Sequence, residues 1–78
     1  MNVNEFTDKA KKVVADYENI SVDEVFIVWF CKTLQNWKAI LATTQLDAKI
    51  YEVTYNGNKE ETYVDIYKKE SNIRVKDE

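Results

Sequence analysis

Val25-Phe26-Ile27-Val28-Trp29-Phe30-Cys31-Lys32-Thr33-Leu34 is the one long apolar run in a chain of 78 residues. β-Branched and aromatic side chains dominate it. They lose χ1 freedom in a helix and fit a pleated surface, so the run predicts a β-strand. Asp23-Glu24 bounds it on one side and Gln35-Asn36 on the other. With no charged residue between Val25 and Cys31, the strand reads as covered on both faces. Strict alternation would put Val25, Ile27, Trp29 and Cys31 on one face, and Phe26, Val28, Phe30 and Leu34 on the other.

Upstream, residues 4–18 read as an amphipathic helix. Phe6, Ala10, Val13, Val14 and Tyr17 recur at helical spacing, while Glu5, Asp8, Lys9, Lys12 and Asp16 occupy the opposite side. Glu5–Lys9 and Asp8–Lys12 are acid-before-base pairs four apart, worth ~0.3 kcal/mol each. Asn4 is the expected N-cap. Lys9, Lys11 and Lys12 read as a solvated helix face rather than a basic binding patch. Ser21-Val22-Asp23-Glu24 has capping-box spacing, which fits one helical turn delivering the chain to the strand.

Downstream, a turn at Gln35-Asn36 leads to a second strand, Trp37 to Thr44, in an antiparallel hairpin. Trp37, Ala39, Leu41 and Thr43 share one of its faces. After a connection at Gln45-Leu46-Asp47, Ala48 to Tyr55 alternates as a third strand. Asn56-Gly57 is the strongest turn signal in the chain, because both residues tolerate positive φ. Glu61 to Lys68 is the expected fourth strand. A two-residue loop would oppose Glu52 and Glu61, so a three-residue loop pairing Tyr51 with Tyr63 and Ile50 with Val64 is preferred. A rival reading starts a C-terminal helix at the capping-box spacing of Asn58-Lys59-Glu60-Glu61, with Tyr63, Ile66 and Tyr67 on one face. The strand-favouring types Thr62, Tyr63, Val64, Ile66 and Tyr67 tip the choice to a strand. Glu70-Ser71-Asn72 reads as a turn and Ile73-Arg74-Val75 as a short edge segment.

The expected architecture is a single α+β domain over residues 1–78, with an N-terminal helix packed on a curved antiparallel meander of three to four strands. The alternative is a helix, three strands and a C-terminal helix. One helix covers one sheet face. Strong sheet curvature, the C-terminal tail or a second protein would cover an apolar second face, and a homodimer or partner site there is the expectation.

Composition narrows the chemistry. The net charge is −3 with 32% charged residues, too weakly acidic for a nucleic-acid mimic and without the positive excess of phosphate-backbone binders. There is no His, which removes imidazole bases and the commonest metal ligand. Cys31 is the only cysteine; an intrachain disulfide and a structural zinc site are excluded, and a thiol buried in mid-strand should be inert. Gly57 is the only glycine, so no Gly-rich phosphate loop exists. The adjacent acids Asp23/Glu24, Glu60/Glu61 and Asp77/Glu78 would point to opposite faces of a strand and form no ready dyad. The expectation is a non-enzymatic protein without cofactor or metal. Met1-Asn2-Val3-Asn4-Glu5 lacks the charged and apolar regions of a signal peptide, and no apolar run approaches the ~20 residues of a membrane helix. A cytoplasmic protein is expected.

Trp29, Trp37, Tyr51, Tyr55, Tyr63 and Tyr67 are many large aromatics for so short a chain. Their first use is core area, with hydroxyls reaching water at the edges. Their sharper use is a partner-binding aromatic sheet face. The partner would be a protein or, alternatively, single-stranded nucleic acid whose bases stack there, flanked by Lys32, Lys38, Lys49, Lys68 and Lys69.

Val25 to Thr33, followed by Leu34-Gln35-Asn36-Trp37-Lys38-Ala39-Ile40-Leu41, resembles a small family of phage and prophage proteins of Gram-positive bacteria. Tyr51-Glu52-Val53-Thr54-Tyr55-Asn56-Gly57-Asn58-Lys59 and Tyr63-Val64-Asp65-Ile66-Tyr67-Lys68-Lys69 extend the likeness over roughly residues 23 to 75. That family is a domain of unknown function. The resemblance implies a phage-encoded accessory protein in the host cytoplasm and supplies no catalytic residues. The order of elements also resembles cystatin-like folds, an analogy of architecture alone.

Overall fold

A computed structural model describes residues 1–46, 49–68, 71 and 73–76. Helix α1 (Val3–Glu18) is followed by a 3₁₀ turn (Val22–Glu24) and by strands β1 (Val25–Thr33), β2 (Asn36–Thr43), β3 (Lys49–Asn56) and β4 (Glu61–Lys68). The strands form one antiparallel sheet in the order β1-β2-β3-β4. The fold is thus α+β, a helix on a four-stranded meander. Residues 61–68 form a strand laddered to β3, which excludes the C-terminal helix there.

The helix begins earlier than the spacing suggests. Asn2, not Asn4, is the N-cap, and its side chain accepts from the Glu5 amide at 2.9 Å. That choice places acidic Glu5 in the first turn, where the helix dipole favours it. Asn19 ends the helix in the left-handed region at φ 57°, a conformation asparagine tolerates. Ile20 then folds back, its amide bonded to the Ala15 carbonyl at 3.0 Å. The buried stripe is accordingly Phe6, Ala10, Val14 and Ala15; Val13 is only half-buried and Tyr17 is exposed. Two expected side-chain pairs are also replaced. Lys12 binds Asp16 at 2.9 Å, and Lys9 lies over the Tyr55 ring, 5.4 Å from its centroid. The Ser21–Glu24 capping box forms as the spacing predicts.

The apolar run is not the covered centre of the sheet. β1 is an edge strand, and the buried strands are β2 and β3. Strict alternation also fails within it. Ile27 pairs with Leu41, but Trp29 pairs with Ile40, so Val28 is the extra residue of a β-bulge. The bulge shifts phase by one residue. Val25, Ile27 and Phe30 share the helix-side face, while Phe26, Trp29 and Cys31 share the other. Leu34 leaves the strand altogether: it sits in the two-residue turn with Gln35, at φ 57° and 84% exposed.

The β3–β4 register differs from both loops weighed above. Asn56 pairs with Glu61, Tyr51 with Ile66 and Val53 with Val64, so the loop is Gly57 to Glu60. Asn56 Oδ1 accepts from the Asn58 amide at 3.0 Å and the Lys59 amide at 3.2 Å, while Glu60 takes the positive φ of 54°. An asparagine that bonds the backbone ahead of it builds this turn without a left-handed Gly. Gly57 has no positive φ. Its lack of a side chain serves proximity, since a Cβ there would lie 2.2 Å from the Gln35 carbonyl oxygen in the neighbouring hairpin turn.

The core lies between α1 and one sheet face. Phe6, Ala10 and Val14 meet Trp37, Ala39, Leu41, Tyr51 and Val53, all buried. The Phe6 ring stacks on Trp37 with centroids 5.2 Å apart. At the end of the helix, Glu18 accepts from the Tyr51 hydroxyl and from Lys49 Nζ at 3.2 Å, fastening α1 to β3. Ile73, Arg74 and Val75 are exposed and form no strand, because no ladder partner lies alongside them among the described residues. Asp47, Ala48, Lys69, the turn at Glu70-Ser71-Asn72 and the Asp77/Glu78 pair lie wholly or partly outside the described residues.

Candidate functional site

The register sorts side chains into rows across the face that α1 does not cover. One row runs Trp29, Ile40, Glu52, Asp65; the next runs Cys31, Lys38, Thr54, Tyr63; the last runs Thr33, Asn36, Asn56, Glu61. At the far end Phe26 stands beside Ala42, and Ile50 beside Tyr67. Period-two alternation in β2, β3 and β4 sets these rows, and the Val28 bulge brings Trp29 into them.

This open face is apolar at one end and polar at the other. Phe26 is 48% exposed, Trp29 50%, Ile50 48% and Tyr67 53%. Each of these large side chains is thus half wetted. Toward the hairpin turns, Trp29 and Tyr63 stand at opposite sides of a shallow concavity of about 510 Å³, with Lys38, Thr54 and Asn56 in its floor. Lys38 Nζ approaches Glu52 Oε1 at 3.7 Å, a partly solvated pair that offsets the like-charge opposition of Glu52 and Asp65. Within the strands the face carries Lys38 against Glu52, Glu61 and Asp65, a net −2.

The six aromatics read from the sequence divide between two environments. Trp37 and Tyr51 are buried under α1, and Tyr55 is half-buried beneath Lys9. These three build the core. Trp29, Tyr63 and Tyr67 remain on the open face, with the Tyr63 hydroxyl bonded to Glu61. Of the flanking lysines, Lys38 shares the open face with them, whereas Lys32 lies on the other face over the Trp37 ring and Lys49 is bonded to Glu18. Cys31 is half-buried on the open face instead of sealed in the core, again because of the bulge.

Phe26 and Ile50 were missed as surface residues. For Ile50 the signal is in the sequence: with Trp37, Ala39 and Leu41 facing the helix, β3 residues of even number must face away. No helix among the described residues is long and apolar enough to cross a membrane. No three Cys, Asp or Glu side chains among them gather as a metal-binding group.

No curated protein and no solved structure matches the chain. A family model described as "Family of unknown function (DUF6275)" matches residues 1–77, nearly the whole sequence, and carries with it no assigned activity. By that match the chain belongs to the DUF6275 family of unknown function.

Proposed function

We propose that this chain is a non-enzymatic protein-interaction module, phage- or prophage-encoded and acting in the host cytoplasm, whose binding surface is the open sheet face. One observation carries the reading: β1, the most apolar segment of the sequence, lies at the sheet edge and puts Phe26 and Trp29 on that face at 48% and 50% exposure, with half-exposed Ile50 and Tyr67 on the same face. Contiguous half-exposed aromatics of this kind mark interaction surfaces. Trp and Tyr are the residues that most often dominate binding energy when a partner desolvates them. Lys38, Glu52 and Asp65 supply a charged rim beside the apolar end. The phage context rests on the likeness of residues 25–41, 51–59 and 63–69 to phage and prophage proteins.

Single-stranded nucleic acid is the weaker reading, because the face that would stack bases is net acidic and would repel phosphates. A pull-down from bacterial lysate tests both, run with wild type and with a Trp29→Ala/Tyr67→Ala double variant, each with and without nuclease. A partner protein captured by wild type, resistant to nuclease and lost from a folded double variant supports the module. Capture that vanishes with nuclease moves the assignment to nucleic acid. Capture unchanged by the double variant removes the open face from the argument.

A further inference from the structure

We infer that the outer edge of β4 pairs antiparallel with β4 of a second copy of this chain, extending the sheet across a two-fold axis at Val64. The inference uses an edge, not the open face, and stands apart from the proposal above.

The two sheet edges differ in how they meet a new strand. β1 is interrupted by the bulge at Val28, a device that twists an edge away from further pairing. β4 runs from Glu61 to Lys68 without a register shift, and among the described residues it ladders with β3 alone. It has no Pro, and its charges sit mainly at its ends. Ile66, Tyr63 and Tyr67 are all exposed along it. By the usual rules of edge protection, β4 is the side left open.

Overlap and charge together select one register for pairing with a second copy: only axes at Val64 and Asp65 pair seven residues of β4. Two-fold antiparallel pairing keeps each side chain on its own sheet face, so only residues of equal parity can oppose one another. Centring the axis on Val64 brings Glu60, the turn residue just ahead of the strand, near Lys68 of the other copy, twice by symmetry. It also sets Thr62 opposite Ile66 and Tyr63 opposite Asp65. Centring on Asp65 opposes two aspartates across the axis. Centring on Tyr63 opposes Glu61 and Asp65. Like charges directly opposite destabilise a ladder, and opposite charges support it.

The test is sedimentation equilibrium of the full chain over a concentration series reaching about 1 mM, where weak association still registers. Wild type should approach twice the 9.2 kDa chain mass. Lys68→Glu should weaken the dimer at least about tenfold by facing Glu60, and Glu60→Lys/Lys68→Glu should restore it. Val64→Cys in a Cys31→Ser background should form a disulfide-linked dimer on mild oxidation, while Val28→Cys in the same background should not. A monomer throughout the series overturns the inference, as does a dimer indifferent to Lys68→Glu. A dimer lost in Phe26→Ala/Trp29→Ala but kept in Lys68→Glu also overturns it, placing self-association on the open face.

Discussion

Replacing Gly57 by alanine should destabilise this fold, although the backbone there is one any residue can adopt. At such sites Gly→Ala normally stabilises by ~0.4–1 kcal/mol, because it restricts the unfolded chain. Here the added Cβ would stand 2.2 Å from Gln35 O, 2.8 Å from Gln35 Cβ and 3.0 Å from Gln35 C. Ordinary carbon–oxygen contacts begin near ~3.3 Å. Two of the three obstructing atoms are backbone, in a tight turn whose Leu34 already has positive φ, and Gly57 N–H is itself held by Asn36 Oδ1 at 3.3 Å. Relief therefore requires moving one hairpin end against the other. Overpacking of this kind costs ~1–3 kcal/mol. The net expectation is a loss of ~1–2 kcal/mol, which at this chain length lowers the melting temperature by ~5–15 °C. Urea denaturation followed by tryptophan fluorescence and far-ultraviolet circular dichroism measures it, with the midpoint shifting and the slope unchanged. Gly57→Asn sharpens the test. If positive φ were the reason for glycine, asparagine would serve nearly as well; if proximity is the reason, it should do as badly as alanine. A Gly57→Ala protein as stable as wild type would refute the reasoning.

Leu34→Gly should act in the opposite direction. A left-handed leucine costs ~1–2 kcal/mol and glycine's greater unfolded freedom returns part of that, so thermal melting should show a gain of up to ~1 kcal/mol. Thr62→Val should stabilise by ~1 kcal/mol in the same assay, since Thr62 Oγ1 is buried with no hydrogen-bond partner among the described residues and the swap removes that cost; a loss of stability would mean that the hydroxyl is satisfied. Phe6→Ala removes a buried ring stacked on Trp37 and should cost ~3–5 kcal/mol. For a domain of 78 residues, whose total stability is expected at ~4–12 kcal/mol, circular dichroism should show it near the edge of folding.

Periodicity carried most of the fold. The helix, the capping box and all four strands follow from where apolar and polar residues recur, because one-sided burial writes its period into the chain. What periodicity could not carry is phase. The Val28 bulge leaves no mark in a run where every residue is apolar, so Trp29 and Phe30 exchange faces relative to strict alternation. The same uniformity makes β1 look central; an exposed edge strand and a strand buried within its own sheet read alike. Asn56-Gly57 misled for another reason. The turn is built by the Asn56 side chain, and glycine's role is set by Gln35, 22 residues away in the chain and adjacent only after folding. Of the aromatic set, half lines the core and half faces water. For Trp37 and the four tyrosines that division follows from register across β2, β3 and β4, which depends on the loop length at residues 57–60; Trp29 is placed by the Val28 bulge.

The strand order β1-β2-β3-β4 bears on how fast the chain finds its structure. Each strand hydrogen-bonds the one next to it in sequence, so every ladder closes a short loop and no crossover must be threaded. The sheet can propagate from a hairpin, with α1 docking once Trp37 and Leu41 present a surface to it. Contact order is low for a mostly β protein, and folding on the order of milliseconds is expected, faster than for a β-sandwich of the same length. A route made of successive hairpins has few long-lived half-folded states. That brevity protects a chain whose most apolar segment, β1, stays at the sheet edge even when folding is complete.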